Sequence, residues 1–491
     1  MHQQQEEQFQ PTPLDVLIIG AGLSGIGMAR ALTRRCPDKR YLILERRQAI
    51  GGTWDLFRYP GIRSDSDMYT LGYADKPWTG RKAIADGPDI KRYIEEAAEE
   101  SGAVHNIRYG HRVLSASWDS EQALWTVRVQ ITDGTGQREE QLQARFIASC
   151  SGYYSYDEGY RPGFPDEASF AGQIIHPQAW PEGLDCRGKR VVVIGSGATA
   201  VTLVPALARE GAHVTMLQRS PSYVFARPQV DRLAQGMQKW LPLPLAYHLT
   251  RWKNVLLGSF FYRRARSRPE EASRYLLQLA QRQLGPDVDM RHFTPDYKPW
   301  DQRVCAVPDG DLFHMLRARQ LEVVTDTIER FTPAGIQLSS GAELEADIIV
   351  TATGLKLTAL GEVRLEVDGQ PVNTGECLTY KGMMLSDVPN LIQVFGYTNA
   401  SWTLKADLTC NYLARLLRYM DRRGLRVAVA RRTPDVQEQP FIDFTSGYVQ
   451  RAADILPKQG DQPAWRVHQS YLKDKLMIQY GELDDGVLRF Q

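Results

Sequence analysis

The sequence predicts an α/β protein built from two doubly wound, largely parallel sheets, with a helical segment set into the second. Three observations lead there. A short apolar strand runs into a glycine-rich turn and then a helical pattern twice, first at residues 15–19 and again at 191–194. At 491 residues the chain exceeds what one hydrophobic core fills, so two or three domains are expected. From 226 to 299, Leu, Arg and Gln recur at helical spacing and interrupt the strand–helix alternation.

Taken in order, 15–19 and 40–44 read as the first two strands, with a helix between them. Residues 51–80 then turn aromatic and glycine-rich, carrying Trp54, Phe57, Tyr59, Tyr69, Tyr73 and Trp78. A loop of that length inside a domain is usually functional. Residues 125–132 alternate as a strand does and meet a turn at Asp133-Gly134. Residues 146–152 (FIASCSG) form a buried strand ending in small residues, and 347–354, ending Thr351-Ala-Thr-Gly354, echo it. One long helix, about 404–423, is closed by Gly424. The expected division is 1–150 with 380–491 for the first unit, 151–225 with 300–379 for the second, and 226–299 for the helical insertion.

The first turn is Gly20-Ala-Gly22-Leu-Ser24-Gly25, with Glu45 twenty residues beyond at the end of the next strand. This is the Rossmann-like, dinucleotide-binding context. Gly20 permits the turn, Gly22 lets backbone approach a pyrophosphate, Gly25 lets helix and strand meet, and Glu45 can accept from a ribose diol. The second turn is Gly195-Ser196-Gly197-Ala198-Thr199-Ala200, with alanine in the third glycine position. Its next strand ends in Gln218-Arg219-Ser220. An acidic residue there would hold a free 2′-hydroxyl, whereas Arg219 suits a 2′-phosphate. Two sites in one chain point to FAD at the first and NADPH at the second, with hydride passing between them.

The reduced flavin then needs an electron acceptor. Cys36, Cys150, Cys186, Cys305, Cys377 and Cys410 contain no C-x-x-C pair and no zinc-ligand spacing, which disfavours a disulfide reductase and any metal site. Molecular oxygen remains. Net charge +1 argues against bulk nucleic-acid binding. The polar N-terminus, MHQQQEEQFQPTP, reads as a disordered tail rather than a signal peptide. No uncharged run spans a membrane, and a cytoplasmic enzyme is expected. Residues 240–268 are rich in Trp, Leu and Phe and end in Arg263, Arg264, Arg266 and Arg268. They read as a helical lobe packing on its neighbour, with peripheral membrane contact the alternative.

Residues 170–181, FAGQIIHPQAWP, place Phe170, Gly172, His176, Trp180 and Pro181 in the spacing F-x-G-x-x-x-H-x-x-x-W-P. This resembles the fingerprint of the Baeyer–Villiger monooxygenases, class B flavoproteins. The resemblance implies oxygen insertion beside a ketone carbonyl through a C4a-peroxyflavin, giving esters or lactones. It places His176 and Trp180 at the junction of the FAD and NADP domains, coupling their motions. The loop Gly51-Gly52-Thr53-Trp54-Asp55 through Arg58-Tyr-Pro-Gly-Ile-Arg63-Ser64-Asp65 is similar to the family as well. By that likeness Gly52, Thr53, Trp54 and Asp55 lie against the flavin, and Arg63 and Ser64 lie near the nicotinamide. Asp65 reaches the active site, and Val113 binds the adenine end of FAD. The arginine the family places over the flavin matches Arg303, in Tyr297-Lys-Pro-Trp-Asp-Gln302-Arg303. Its permanent charge would stabilise an anion in a water-poor site, with Asp65 holding it in place.

Two departures stand out. Gln302 occupies the position where many relatives carry a lysine for the 2′-phosphate, which leaves that preference to Arg219 and Ser220. A C-terminal tryptophan–glycine–alanine–asparagine stretch is replaced by Gly396-Tyr-Thr-Asn-Ala-Ser-Trp402-Thr-Leu-Lys405. Together these features resemble the ethionamide-activating subgroup, which implies linear aliphatic and aryl ketones as substrates, with sulfoxidation of thioethers or thioamides in addition. A heteroatom (N/S) hydroxylating flavin monooxygenase is the first alternative, and a non-catalytic flavin redox sensor the second.

Overall fold

The computed structural model describes residues 12–134, 136–442 and 444–491. The expected tail lies almost wholly outside the described residues. The first unit is organised on the strand Leu14–Ile19, whose last four residues are buried. It runs parallel to Tyr41–Glu45 on one side and to the far half of Gly136–Ser149 on the other. Leu391–Gln393 pairs in parallel with that same strand, so the chain returns to this sheet near its C-terminal end. Five more strands extend the sheet to nine: Ile107–Tyr109 beyond Tyr41–Glu45, and His111–Asp119, Leu124–Asp133, Arg364–Val367 and Gln370–Pro371.

The second sheet has five strands, all parallel, in the order Leu321–Thr325, His213–Gln218, Arg190–Ile194, Ile348–Thr351 and Gln173–Ile175. Two antiparallel strands join the units: Tyr154–Gly159 leads out and Leu355–Leu357 leads back. Arg364–Val367 then lies parallel to His111–Asp119 in the first sheet. The return to the first unit therefore precedes Arg364, inside the 300–379 span expected for the second. The expected edge at 379 is corrected by that pairing.

The insertion leaves and re-enters through Val224–Arg227 and Cys305–Pro308, which pair in parallel. Between them are the helices Arg232–Trp240, Leu243–Ser267 and Pro269–Leu284. The lobe is clamped to the first unit's aromatic loop. The buried Arg251 donates through Nη1 to the carbonyls of Tyr69 (2.8 Å) and Gly72 (2.7 Å). Tyr247 donates to the Tyr73 carbonyl at 2.9 Å. Buried helix-side groups of this kind need such partners, since an unmet carbonyl costs about 1–3 kcal/mol. The long C-terminal helix spans Trp402–Arg423, and Gly424 ends it at φ +66°.

Candidate functional site

Each glycine turn is dictated by close backbone contact. Gly20 sits at φ +99°, and a Cβ there would fall 2.7 Å from the Cys150 carbonyl oxygen. Gly195 sits at φ +137°, and its Cβ would fall 2.4 Å from the Ala352 carbonyl oxygen. The two small-residue strand ends, FIASCSG and TATG, thus do the same work in each unit: they press a carbonyl against the first glycine. A Cβ on Gly25 would come within 1.8 Å of the Gly20 oxygen, so only glycine lets that helix meet its strand. Ala200, fully buried, takes the corresponding position in the second turn.

Both turns open into one cleft of about 900 Å³ between the units. Gly20, Gly22, Ser24, Glu45, Gly52, Thr53, Trp54, Arg63, Ser64, Asp65 and Val113 line it from the first unit. Gly195, Ser196, Gly197, Ala198, Thr199, Arg219, Ser220 and Arg303 line it from the second and its insertion. Gly25 and Ala200 lie behind their turns, where their packing role puts them.

The first half of the cleft fits a dinucleotide carrying a ribose diol. Gly22 faces Gly52 so closely that a Cβ on Gly52 would sit 3.0 Å from the Gly22 Cα. Glu45, buried, accepts from the Ala21 N–H (2.8 Å) and the Arg47 N–H (2.9 Å), one on each oxygen. Burial pushes its pKa up and the two amides oppose that shift. Each oxygen keeps a lone pair for a further donor. In the second half, Gly197 has nothing within 4 Å of where its Cβ would lie, which leaves the helix N-terminus of Ala198–Arg209 open to an anion. Arg219 is exposed over the cleft, and its guanidinium makes no ion pair or hydrogen bond with any described residue. Gln218, by contrast, turns inward and donates to the His292 carbonyl (2.8 Å) and Thr325 Oγ1 (2.9 Å).

Asp55 departs from expectation. It does not line the cleft. Its carboxylate is buried against Arg47 Nη2 (2.7 Å) and Lys91 Nζ (3.0 Å). Burial works against that charge, but the two cations prevail and hold its pKa below the usual carboxylate value. Asp55 therefore braces the Gly51–Trp54 turn from behind. Arg63 lines the cleft, yet its guanidinium is taken by Asp311 at 2.8 Å. Ser64 keeps its hydroxyl within its own loop, donating to the Ser66 carbonyl at 2.7 Å.

Arg303 and Asp65 do come together, Nη2 to Oδ2 at 3.2 Å. Their side chains are 45% and 28% exposed, so the pair faces the cleft and is not sealed between domains. Burial within the cleft opposes the Arg303 charge, and Asp65 with Tyr153 and Tyr448 outweighs it, holding its pKa above the ordinary arginine value. An aromatic wall stands beside the pair. Tyr153 stacks on Trp402 at 5.2 Å between centroids, and Phe395 meets both, at 5.7 Å and 5.3 Å. Trp402 Nε1 donates to Ser24 Oγ at 2.8 Å, which places the divergent 396–405 stretch against the first glycine helix. Ile442, Phe444 and Tyr448 complete the lining. Sequence reasoning missed this wall. Its one local signal was Tyr153-Tyr154-Ser-Tyr156 directly after FIASCSG, and Tyr154 does bond Thr53 Oγ1 at 2.6 Å.

None of the five fingerprint residues lines the cleft. Phe170 packs under the second sheet against Phe331, and a Cβ on Gly172 would fall 2.4 Å from the Asp347 oxygen. The segment is more than a linker, since Gln173–Ile175 forms the edge strand of the second sheet. Trp180 and Pro181 follow half-buried. His176 is buried on Gly159, where a Cβ would clash with its ring at 1.8 Å. Its Nδ1 accepts from the Gln178 N–H (3.2 Å), so Nε2 carries the proton toward the Gly354 carbonyl (3.3 Å). The ring thus ties the outgoing strand to the end of Ile348–Thr351. Among the described residues no cluster of three or more His, Cys, Asp or Glu could hold a metal ion.

Residues 17–233 match the family model for pyridine nucleotide-disulphide oxidoreductases. The six cysteines are all unpaired and buried, so the match reflects the nucleotide folds and not dithiol chemistry. The chain is similar to the FAD-containing monooxygenase EthA of Mycobacterium tuberculosis, at 54% identity over 480 residues, 97% of each chain. It is also similar to a probable FAD-binding monooxygenase, AlmA, of an Acinetobacter species, at 49% identity over 97% of this chain and 96% of the relative. Among solved structures, OTEMO in complex with FAD and NADP superposes with TM-score 0.70 at 22% identity, over 86% of this chain and 88% of that one, a likeness of fold. With more than half of its residues shared with EthA along nearly the whole length, this chain belongs to the family of FAD-containing monooxygenases.

Proposed function

We propose that the protein is an NADPH-dependent Baeyer–Villiger monooxygenase that converts linear aliphatic and aryl ketones to esters or lactones and also oxidises the sulfur of thioethers or thioamides. The observation that carries this reading is the Arg303–Asp65 pair, a permanent cation half open to a cleft that both glycine turns share. Gly20, Gly22, Ser24, Glu45 and the Gly52–Trp54 turn hold FAD. Gly195 to Thr199 hold the NADPH pyrophosphate, and Arg219 with Ser220 takes the 2′-phosphate. When bound, these cofactors supply the two electrons that let dioxygen be split, one atom going to substrate and the other leaving as water.

The protein's own part is positioning and field. Arg303 stabilises negative charge that gathers on oxygen at the reacting carbonyl, in a site where aromatic side chains replace water. Asp65 fixes the direction of the guanidinium. Tyr153, Phe395, Trp402 and Phe444 give the substrate an apolar seat. Six reduced thiols suit a cytoplasmic setting. The test is product analysis. Purified flavin-loaded enzyme is given NADPH, oxygen and a panel of linear, cyclic and aryl ketones plus a thioether. One ester, lactone or sulfoxide per NADPH consumed is expected. NADPH oxidation yielding hydrogen peroxide alone across the panel overturns the reading.

A further inference from the structure

The helix Leu243–Ser267 has two unlike faces. The inner one is fixed, with Ala246, Tyr247, Thr250, Arg251 and Val255 buried. The outer one is apolar and bare. Leu245, Leu249, Leu256, Leu257, Phe260 and Phe261 are 46–61% exposed, and Trp240, ending the preceding helix, is 88% exposed. Residues 245, 249, 256 and 260 fall on one stripe of the helix. A contiguous apolar stripe of this kind on a monomer marks an interaction surface. The helix is not apolar enough to cross a membrane.

Charge narrows what covers it. Residues 232–284 carry ten Lys and Arg against only Glu270 and Glu271, in a chain whose net charge is +1. Arg264 and Arg268 share Glu271, whereas Arg263, at the end of the apolar stripe, makes no ion pair or hydrogen bond with any described residue. A second copy docking by this face would set two such basic lobes against each other, because a twofold contact repeats the same patch on both sides. A surface of anionic lipid answers both features at once. Apolar side chains enter the acyl boundary, and the arginines meet headgroup phosphates.

We propose that the outer face of Leu243–Ser267, with Trp240, docks the protein onto anionic lipid surfaces. The inference is independent of the reaction. Val255, on the inner side of the same helix, packs with Tyr397, a residue of the cleft wall. Docking therefore sets lipid one helix away from the cleft.

The test is sedimentation of the flavin-loaded protein with vesicles of phosphatidylcholine, alone or with roughly one-third phosphatidylglycerol. Binding to the anionic vesicles is expected, weakened by salt, with little binding to neutral ones. The double variant Phe260→Glu, Phe261→Glu should lose at least about tenfold in vesicle affinity. Arg263→Gln should lose about fivefold. Both should keep wild-type flavin content and wild-type NADPH oxidation without vesicles. A folded, flavin-replete protein that sediments with neither vesicle overturns the proposal. Equal binding to both vesicles also overturns it, as does a double variant that binds like wild type. Light scattering that shows a dimer dissociated by the double variant, without vesicle binding, assigns the face to self-association and likewise overturns it.

Discussion

Arg63 of the first unit and Asp311 of the second are joined at 2.8 Å, and their side chains are only 7% and 10% exposed. The same Asp311 oxygen takes Arg209 Nη2, also at 2.8 Å. Arg63 lies two residues before Asp65, so this tether fixes where the Asp65 loop stands relative to Arg303. One buried carboxylate thus holds two cations where the units meet near the Arg303–Asp65 pair. Replacing that carboxylate leaves Arg63 buried and uncompensated. Asp311→Asn should cost about 3 kcal/mol of stability. Arg209→Gln, at a half-exposed position, should cost well under about 1 kcal/mol. Urea unfolding of the flavin-loaded proteins compares the two. Equal losses would show that burial of the Arg63 pair does not set the energy.

The Arg303–Asp65 pair makes a sharper demand on activity. Arg303→Ala removes a cation that matters only when negative charge develops. Ester formation should therefore fall by about a hundredfold or more, while NADPH oxidation continues with hydrogen peroxide as product. Asp65→Asn keeps the cation but frees its orientation, so its loss should be smaller. Chromatographic product yield against NADPH consumed measures both. Ester yield unchanged in Arg303→Ala would remove Arg303 from the mechanism.

What was legible in the sequence was what local backbone geometry imposes. Gly20 and Gly195 need positive φ and have no room for a Cβ, so the residue type itself reports the turn. Glu45 was legible because it ends a strand a fixed distance beyond such a turn. Asp55 misled for the opposite reason. It sits beside the Gly51–Trp54 turn in sequence, but Arg47 and Lys91 draw its carboxylate behind the turn, and Lys91 comes from a later helix. The aromatic wall was illegible because Tyr153, Phe395, Trp402, Phe444 and Tyr448 come from three distant segments that only tertiary packing unites. The early return to the first sheet was missed because Arg364–Val367 is a four-residue strand with only one buried position, too short to show a period.

Under the proposed function, Arg219 sets the preference for NADPH over NADH. Its guanidinium has no partner among the described residues to give up, so an anion it binds gains the whole charge-assisted interaction. Arg219→Gln should raise the KM for NADPH about ten- to a hundredfold and leave that for NADH nearly unchanged. Initial rates with each coenzyme measure the ratio. A parallel rise for both would assign Arg219 a general structural role and move 2′-phosphate recognition elsewhere.

His176 should make the junction between the units sensitive to acid. Burial lowers its pKa from the ordinary histidine value; the Gly354 carbonyl opposes that and Arg161 reinforces it. The folded ring is neutral, with Nδ1 accepting the Gln178 N–H, and a proton placed there would face a donor. The unfolded chain takes up that proton below about pH 6.5 and the folded chain does not. By linkage, the unfolded state binds more protons in that window, so stability falls as pH drops below about 6.5 and stops falling once the lower folded pKa is passed. His292 and His468 are shifted in the same direction by burial, so the wild-type slope alone does not isolate the junction. The difference between wild type and His176→Gln does. Glutamine cannot titrate, so the variant should be less stable at pH 8 through lost hydrogen bonds and should lose stability less steeply between pH 6.5 and pH 5. Urea midpoints measured across that range give both numbers. Parallel slopes would mean that His176 is protonated in the folded state as readily as in the unfolded one, and the acid sensitivity would then belong to other groups.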